Sequence, residues 1–117
     1  MKTILIIDDE KNILRLYEVE LQADGYTVLT ADNAPTALNL LRTNTVDLIV
    51  LDIRMPGITG LELMEDIKFI NRDVPIILNT AYSGYKDNFQ SWLAEAYVVK
   101  SADVKELKDK ISEILSR

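Results

Sequence analysis

Apolar positions along the chain follow two alternating rhythms. Runs of strand length occur at TILIID (3–8), YTVLTA (26–31), VDLIVLD (46–52), VPIILNT (74–80) and AYVVK (96–100). Between them, apolar residues return every three or four positions, the spacing of one helix face. Ile13, Tyr17 and Leu21 recur at four-residue steps, flanked by Leu14 and Leu16. Ala34, Ala37, Leu38 and Leu41 share a face, as do Leu63, Ile67 and Ile70. The clearest stripe is Val104, Leu107, Ile111, Ile114 and Leu115. A further helix is predicted near Tyr85 to Leu93, where GYKDNFQSW mixes aromatics with poor helix formers. Punctuation agrees with these bounds. Asp24-Gly25 closes the first helix, Pro35 sits in the first turn of the second, and MPGITG (55–60) reads as a loop. Thr59 caps the third helix with Glu62 three residues on, and Ser101 or Asp103 caps the last.

Strands alternating with helices predict a parallel sheet covered on both faces. The first and third runs are almost continuously apolar, as doubly covered strands are. For five such units the leading topology is a doubly wound α/β sheet of order 2-1-3-4-5, with a ligand crevice beyond the carboxyl ends of strands 1 and 3. At 117 residues, this predicts a single domain over 1–117.

Composition then narrows the chemistry. The chain has no cysteine and no histidine, which excludes disulfides, thiolate or imidazole metal sites and histidine-based triads. The formal net charge of −6 argues against direct nucleic-acid binding. No run approaches the roughly 20 apolar residues of a membrane span, and the opening residues do not resemble a signal peptide. The expected location is the cytoplasm.

The strand ends carry the polar signal. Strand 1 runs into Asp8, Asp9 and Glu10, strand 3 ends at Asp52, strand 4 at Thr80-Ala81 and strand 5 at Lys100. The switch-point crevice would gather these carboxylates, and a hard cation such as Mg2+ would relieve their repulsion. Carboxylates, a hydroxyl and a lysine around such an ion point to phosphoryl transfer, which needs positioning and charge neutralisation. Taken singly, Asp8-Asp9 reads equally as a strand-terminating turn and Asp52 as a loop cap. Thr80 alone reads as a structural hydroxyl, Lys100 as a solvated lysine and Tyr97 as a packing aromatic. Only the constellation lifts them. Glu10 reads as a helix-dipole residue at the start of the first helix. Phe89 and Trp92 either pack inward or form a partner surface.

ILIIDDE, DLIVLDIRMPGITGLEL, IILNTAY and AYVVK, in this order, resemble the response-regulator receiver domain of two-component signalling, a flavodoxin-like (βα)5 fold, over essentially the whole chain. The resemblance implies that Asp52 is the phosphoacceptor. It implies a metal site, Mg2+ with Mn2+ as the alternative ion, formed by Asp8, Asp9, Asp52 and the backbone carbonyl of Arg54. Thr80, Ala81 and Lys100 would bind the phosphoryl group, and Asp52, Lys100 and Thr80 would carry the transfer. Thr80 and Tyr97 would form the switch, Tyr97 turning inward as Thr80 moves toward the phosphate. The implied partners are a histidine kinase or histidine phosphotransferase and a downstream protein. The implied assembly is a monomer or a weak phosphorylation-dependent dimer. Beyond its own phosphorylation and dephosphorylation, no turnover is expected.

The sequence departs from the family pattern in three places. Ser101 follows Lys100 where proline is usual, which predicts a trans Lys100–Ser101 bond with Lys100 still able to reach Asp52. Leu93-Ala94 replaces a usual Gly-Ala pair. Arg54 and Tyr82, at the positions that tune the acyl phosphate's lifetime, are bulky and predict slow self-dephosphorylation. The rival readings are a degenerate receiver acting only as a binding module, an Mg2+-dependent aspartyl phosphatase and a flavin-binding domain. Retention of Asp9, Asp52, Thr80 and Lys100 opposes the first. Arg54, standing where a phosphatase carries its general acid, opposes the second. DDEKN in place of a phosphate loop opposes the third.

Overall fold

Why the apolar runs pair as they do is visible in the computed structural model, which describes residues 1–55, 57–81, 93–101 and 103–117. Five strands form one parallel sheet: β1 (Thr3–Ile7), β2 (Thr27–Ala31), β3 (Leu48–Leu51), β4 (Ile76–Thr80) and β5 (Ala96–Val99). Their order is 2-1-3-4-5, the expected doubly wound topology. Each strand is one to three residues shorter than its apolar run. Helices α1 (Lys11–Ala23), α2 (Ala34–Thr43) and α3 (Gly60–Ile70) and a C-terminal helix (Lys105–Leu115) cover the sheet. The helix predicted near Tyr85 to Leu93, with Tyr82, Phe89 and Trp92, lies outside the described residues, apart from Leu93 itself.

Strand alternation divides the core into two layers. Leu5, Ile7, Ile49, Leu51, Ile76 and Leu78 face α2 and α3, where Ala37, Leu41, Leu63, Met64 and Ile67 meet them. Ile4, Ile6, Leu48, Val50, Ile77 and Val98 face α1 and the C-terminal helix, against Leu14, Tyr17, Leu21, Leu107, Ile111 and Ile114. The buried seam of α1 is thus Leu14, Tyr17 and Leu21, displaced from the expected Ile13 stripe, while Leu16 stays exposed. In α3 Met64 is fully buried beside Leu63 and Ile67, and Ile70 packs partly buried against the same layer.

Local signals act as their chemistry predicts. Gly25 takes φ +95° just past α1, and Asn33 caps α2 by accepting from Thr36 N at 2.8 Å. Thr59 and Glu62 form a reciprocal capping box on α3. The final helix departs from this: its N-cap is Val104, without a side-chain cap, and the expected Asp103 stands one residue earlier, where its carboxylate accepts from Lys105 N at 2.9 Å, while Ser101 accepts from Asp103 N at 3.2 Å. The segment expected as a loop carries regular pairing among its described residues. Arg54–Met55 and Ile58–Thr59 pair as a short antiparallel ribbon, with Gly57 at φ +84°. No helix among the described residues is long and apolar enough to cross a membrane.

Candidate functional site

Among the described residues the buried polar side chains are Asp8, Asp52, Asn79 and Thr80, all at the carboxyl edge of the sheet. Asp8 follows the last residue of β1 and keeps the ladder going, its N–H donating to Ala31 O at 3.1 Å. Asp52 does the same after β3, donating to Ile7 O at 3.0 Å. Because β1 and β3 are neighbours in the sheet, these two carboxylates lie side by side.

Lys100 joins them. Its ammonium lies 2.7 Å from Asp8 Oδ2 and 3.0 Å from Asp52 Oδ2, with Glu10 Oε1 also at 3.0 Å. The other oxygen of each aspartate accepts a backbone N–H two residues ahead. Glu10 N donates to Asp8 Oδ1 at 2.9 Å, and Arg54 N donates to Asp52 Oδ1 at 3.1 Å. Each buried carboxylate is therefore clamped at one end by the turn that follows its strand and at the other by the same ammonium. The backbone N–H of Lys100 donates to Thr80 O at 2.7 Å, which ties the lysine to the end of β4.

The electrostatics follow from burial and proximity. Burial pushes the Asp8 carboxyl above its ordinary range, opposed by the bonds from Lys100 and from Glu10 N. Burial alone would lower the Lys100 ammonium, but Asp8, Asp52 and Glu10 outweigh it and hold the group well above the usual lysine range. Lys100 is thus a permanent cation here. It does not neutralise the cluster, since oxygens of Asp8, Asp9, Glu10 and Asp52 all lie within 4.8 Å of one another. An all-oxygen, carboxylate-rich donor set with surplus negative charge fits a hard divalent cation. The exposed Asp9 and Glu10 open onto a cleft of about 310 Å³ that Asp52, Arg54, Thr80, Ala81 and Lys100 also line.

Most of the sequence-predicted residues meet in this cleft. Asp8, Asp9, Asp52, Arg54, Thr80, Ala81 and Lys100 lie in it or against it. Tyr97 lies apart, buried in the layer facing α2 and α3 and level with Leu78. Tyr82 lies outside the described residues. The Lys100–Ser101 bond is trans, and the side chain still reaches Asp52. Leu93 and Ala94 pack partly buried against the α2 and α3 layer. Glu10 stands at the start of α1, as expected, and takes a partner there that the sequence does not show. It occupies the N-cap of α1 but makes no side-chain cap, because its carboxylate turns to Lys100 instead. Sequence reading also passed over Asn79, whose amide donates to the Tyr17 hydroxyl at 2.7 Å in the buried layer under the site. The available signal was an asparagine inside the apolar run VPIILNT.

Known proteins share both the sequence and this arrangement of strands. The family model described as the response regulator receiver domain matches residues 4–112. The response regulator ArlR of Staphylococcus saprophyticus is 38% identical over 119 residues, covering all of this chain and 54% of that protein. A probable transcriptional regulator, ycf27 of Cyanidium caldarium, is 37% identical over 116 residues, covering 97% of this chain and 46% of its own length. The chain therefore spans about half the length of these relatives. Among solved structures, the response regulator TrrA of Thermotoga maritima, in complex with Mg2+ and BeF, superposes with a TM-score of 0.90 at 47% identity, covering 97% of this chain and 99% of that one. TrrA bound to the histidine kinase ThkA gives a TM-score of 0.89 at 48% identity, covering 98% and 99%. With its sheet order, its paired strand-end aspartates and these matches, the chain belongs to the response regulator receiver domain family.

Proposed function

We propose that this chain is the phosphoacceptor receiver of a two-component phosphorelay, in which Asp52 takes a phosphoryl group from a phosphohistidine of a histidine kinase or histidine phosphotransferase. The observation that carries the reading is the Lys100 ammonium bridging Asp8 and Asp52 at 2.7 and 3.0 Å at the mouth of an oxygen-lined cleft. The kinase-bound state of TrrA supports the choice of partner.

In this reading an Asp52 carboxylate oxygen attacks phosphorus, the phosphorus–nitrogen bond to the donor imidazole breaks, and the imidazole leaves with the electron pair. Arg54 N, bonded to Asp52 Oδ1, holds the carboxylate so that its other oxygen faces the donor. Lys100 exchanges its bond to Asp52 for one to a phosphoryl oxygen while Asp8 keeps the ammonium in place. Thr80 and the N–H of Ala81 receive the remaining phosphoryl oxygens. Mg2+, with Mn2+ as the alternative, held by Asp9, Asp8, Asp52 and the Arg54 carbonyl, supplies neutralisation of the charge on the transferring group. Movement of Thr80 toward the phosphoryl group and repacking of Tyr97 then change the surface near β4 and β5 that a downstream protein reads. The bulky Arg54 and Tyr82 disfavour an in-line water and lengthen the acyl phosphate's life. The domain works in the cytoplasm, without direct nucleic-acid contact, as a monomer or a weak phosphorylation-dependent dimer.

The test is intact mass after incubation with a small acyl-phosphate donor, with and without Mg2+, beside Asp52→Asn. One Mg2+-dependent phosphoryl adduct, absent in the variant, is expected. A folded, Mg2+-binding protein that stays unmodified with both this donor and a phosphorylated histidine kinase would overturn the reading.

A further inference from the structure

Among the described residues, the layer between the sheet and α1 is largely aliphatic and holds one buried pair of hydrogen-bonded side chains. Tyr17 and Asn79 are 3% and 2% exposed, and the Asn79 amide donates to the Tyr17 hydroxyl at 2.7 Å. Around them lie Ile4, Ile6, Val50, Ile77 and Val98. A buried hydrogen bond of this kind contributes little net stability, and an apolar pair of the same shape would hold the layer equally well. Stability therefore does not account for it.

Its position in the sheet does. Along β1, Ile4 and Ile6 face α1, and Asp8 continues that column; along β3, Leu48 and Val50 lead to Asp52 in the same way. Ile77 leads to Asn79 on β4, and Val98 leads to Lys100 beyond β5. Leu51 is paired with Leu78, so the next step along both strands sets Asp52 beside Asn79. Residues paired across neighbouring strands sit about 4.8 Å apart. Asn79 also immediately precedes Thr80, whose carbonyl holds the Lys100 backbone. The phenol oxygen accepts the amide proton, and that bond does not use the phenol's own proton. Burial pushes the phenol above its ordinary range, and after the Asn79 bond the charges acting on it are those of Lys100, Asp8 and Asp52.

We propose that Tyr17 and Asn79 are a positioning pair for the acidic cleft, a hydrogen bond from α1 to β4 that holds Asp52 and Lys100 in the geometry phosphoryl transfer needs. The inference rests on the function proposed above and deepens it. It implies that a displacement of α1 reaches β4 through this buried bond, and Asp52 through the pairing of β4 with β3.

The test compares the full chain with Tyr17→Phe, Asn79→Leu and the double variant. Each is read for melting temperature, Mg2+ dissociation constant by calorimetry and rate of phosphorylation by a small acyl phosphate. The single Asn79→Leu variant strands no charge, and the double variant removes both polar partners, so it is expected to melt within a few degrees of the parent. Its phosphorylation is expected to be about tenfold slower and its Mg2+ affinity several-fold weaker. A double variant matching the parent in melting, affinity and rate would reduce the pair to core packing. If the double variant does not fold, Tyr17→Phe decides, since it removes only one hydroxyl; parental rate and affinity in that variant overturn the proposal. If the parent forms no Asp52 adduct, the function proposed above fails, and the Mg2+ dissociation constants still judge the pair.

Discussion

Among the described residues the Lys100 ammonium has three carboxylate acceptors, and they are not equivalent. Asp8 and Asp52 are nearly buried, whereas the Glu10 side chain is 60% exposed, so solvent screens the Glu10 bond and leaves it a surface-strength interaction. In the function proposed above the two buried bonds do different work: Asp8 anchors the ammonium, and Asp52 occupies it until a phosphoryl oxygen arrives. Replacing the lysine separates the roles. Lys100→Met leaves two buried carboxylates facing each other, and the melting temperature is expected to fall in metal-free buffer and recover when Mg2+ is added. The phosphorylation rate is expected to stay down by on the order of 100-fold, the scale set by losing one preorganised cation at a developing charge. Melting curves and intact-mass time courses with and without Mg2+ check this. A variant whose rate recovers along with its stability would make Lys100 a mere counter-ion.

At the scale of elements, the site is aimed by the turns that follow the strands. The ribbon of Arg54–Met55 and Ile58–Thr59 carries the N–H that holds Asp52, and α3 begins directly after it. Gly60, the first residue of α3, passes so close to Ile53 that an added Cβ would sit 2.8 Å from the Ile53 Cα. The obstructing atom is backbone, so relief must come from moving the ribbon. Gly60→Ala is therefore expected to cost about 1–3 kcal/mol, seen as a melting temperature lower by on the order of 10 °C. It is also expected to slow phosphorylation of Asp52 beyond what the stability loss implies, since the displaced ribbon carries Arg54 N. Thermal melts and phosphorylation rates measured well below the new melting point check both. The opposite end of the chain has its own tie: Lys108 of the C-terminal helix reaches Glu20 at 2.8 Å and Asp24 at 3.3 Å, binding it to the end of α1. These are partly exposed pairs and contribute modestly.

For the whole molecule, two apolar layers stabilise the fold and the acidic edge works against them. The Asp8 carboxyl is raised above its ordinary value by burial, so the folded chain binds that proton more tightly than the unfolded chain does. Its contribution to stability is present below the unfolded value of 3.8 and is lost as the pH rises through the raised folded value. A cation needs the ionised form, so Mg2+ restores stability only on the alkaline side of that transition. The rise in melting temperature on adding Mg2+ is expected to be large at pH 7.5 and to shrink as the pH falls into the carboxylate range. Asp8→Asn is expected to raise the metal-free melting temperature at neutral pH and to abolish most of the Mg2+ effect. Equal Mg2+ shifts at both ends of the pH range would contradict this account.

The division of labour between sequence and tertiary structure follows from what each can encode. The almost unbroken apolar runs in TILIID and DLIVLD, helical spacing in the segments between, and polar residues at each strand's end were enough to derive a parallel sheet, its order and the crevice where Asp8, Asp52, Thr80 and Lys100 meet. Periodicity reports which face a side chain takes, and the connection rules of parallel sheets do the rest. Pairing between distant residues is invisible to it. Glu10 and Lys100 lie 90 positions apart, and only the folding of the strands and helices between them brings the Glu10 carboxylate to that ammonium. Tyr17 and Asn79, 62 positions apart, read as a core aromatic and a strand polar residue until α1 is laid across β4. The burial that raises the Asp8 carboxyl is likewise a property of the assembled layers, because desolvation depends on every element packed around the charge rather than on its neighbours in the chain.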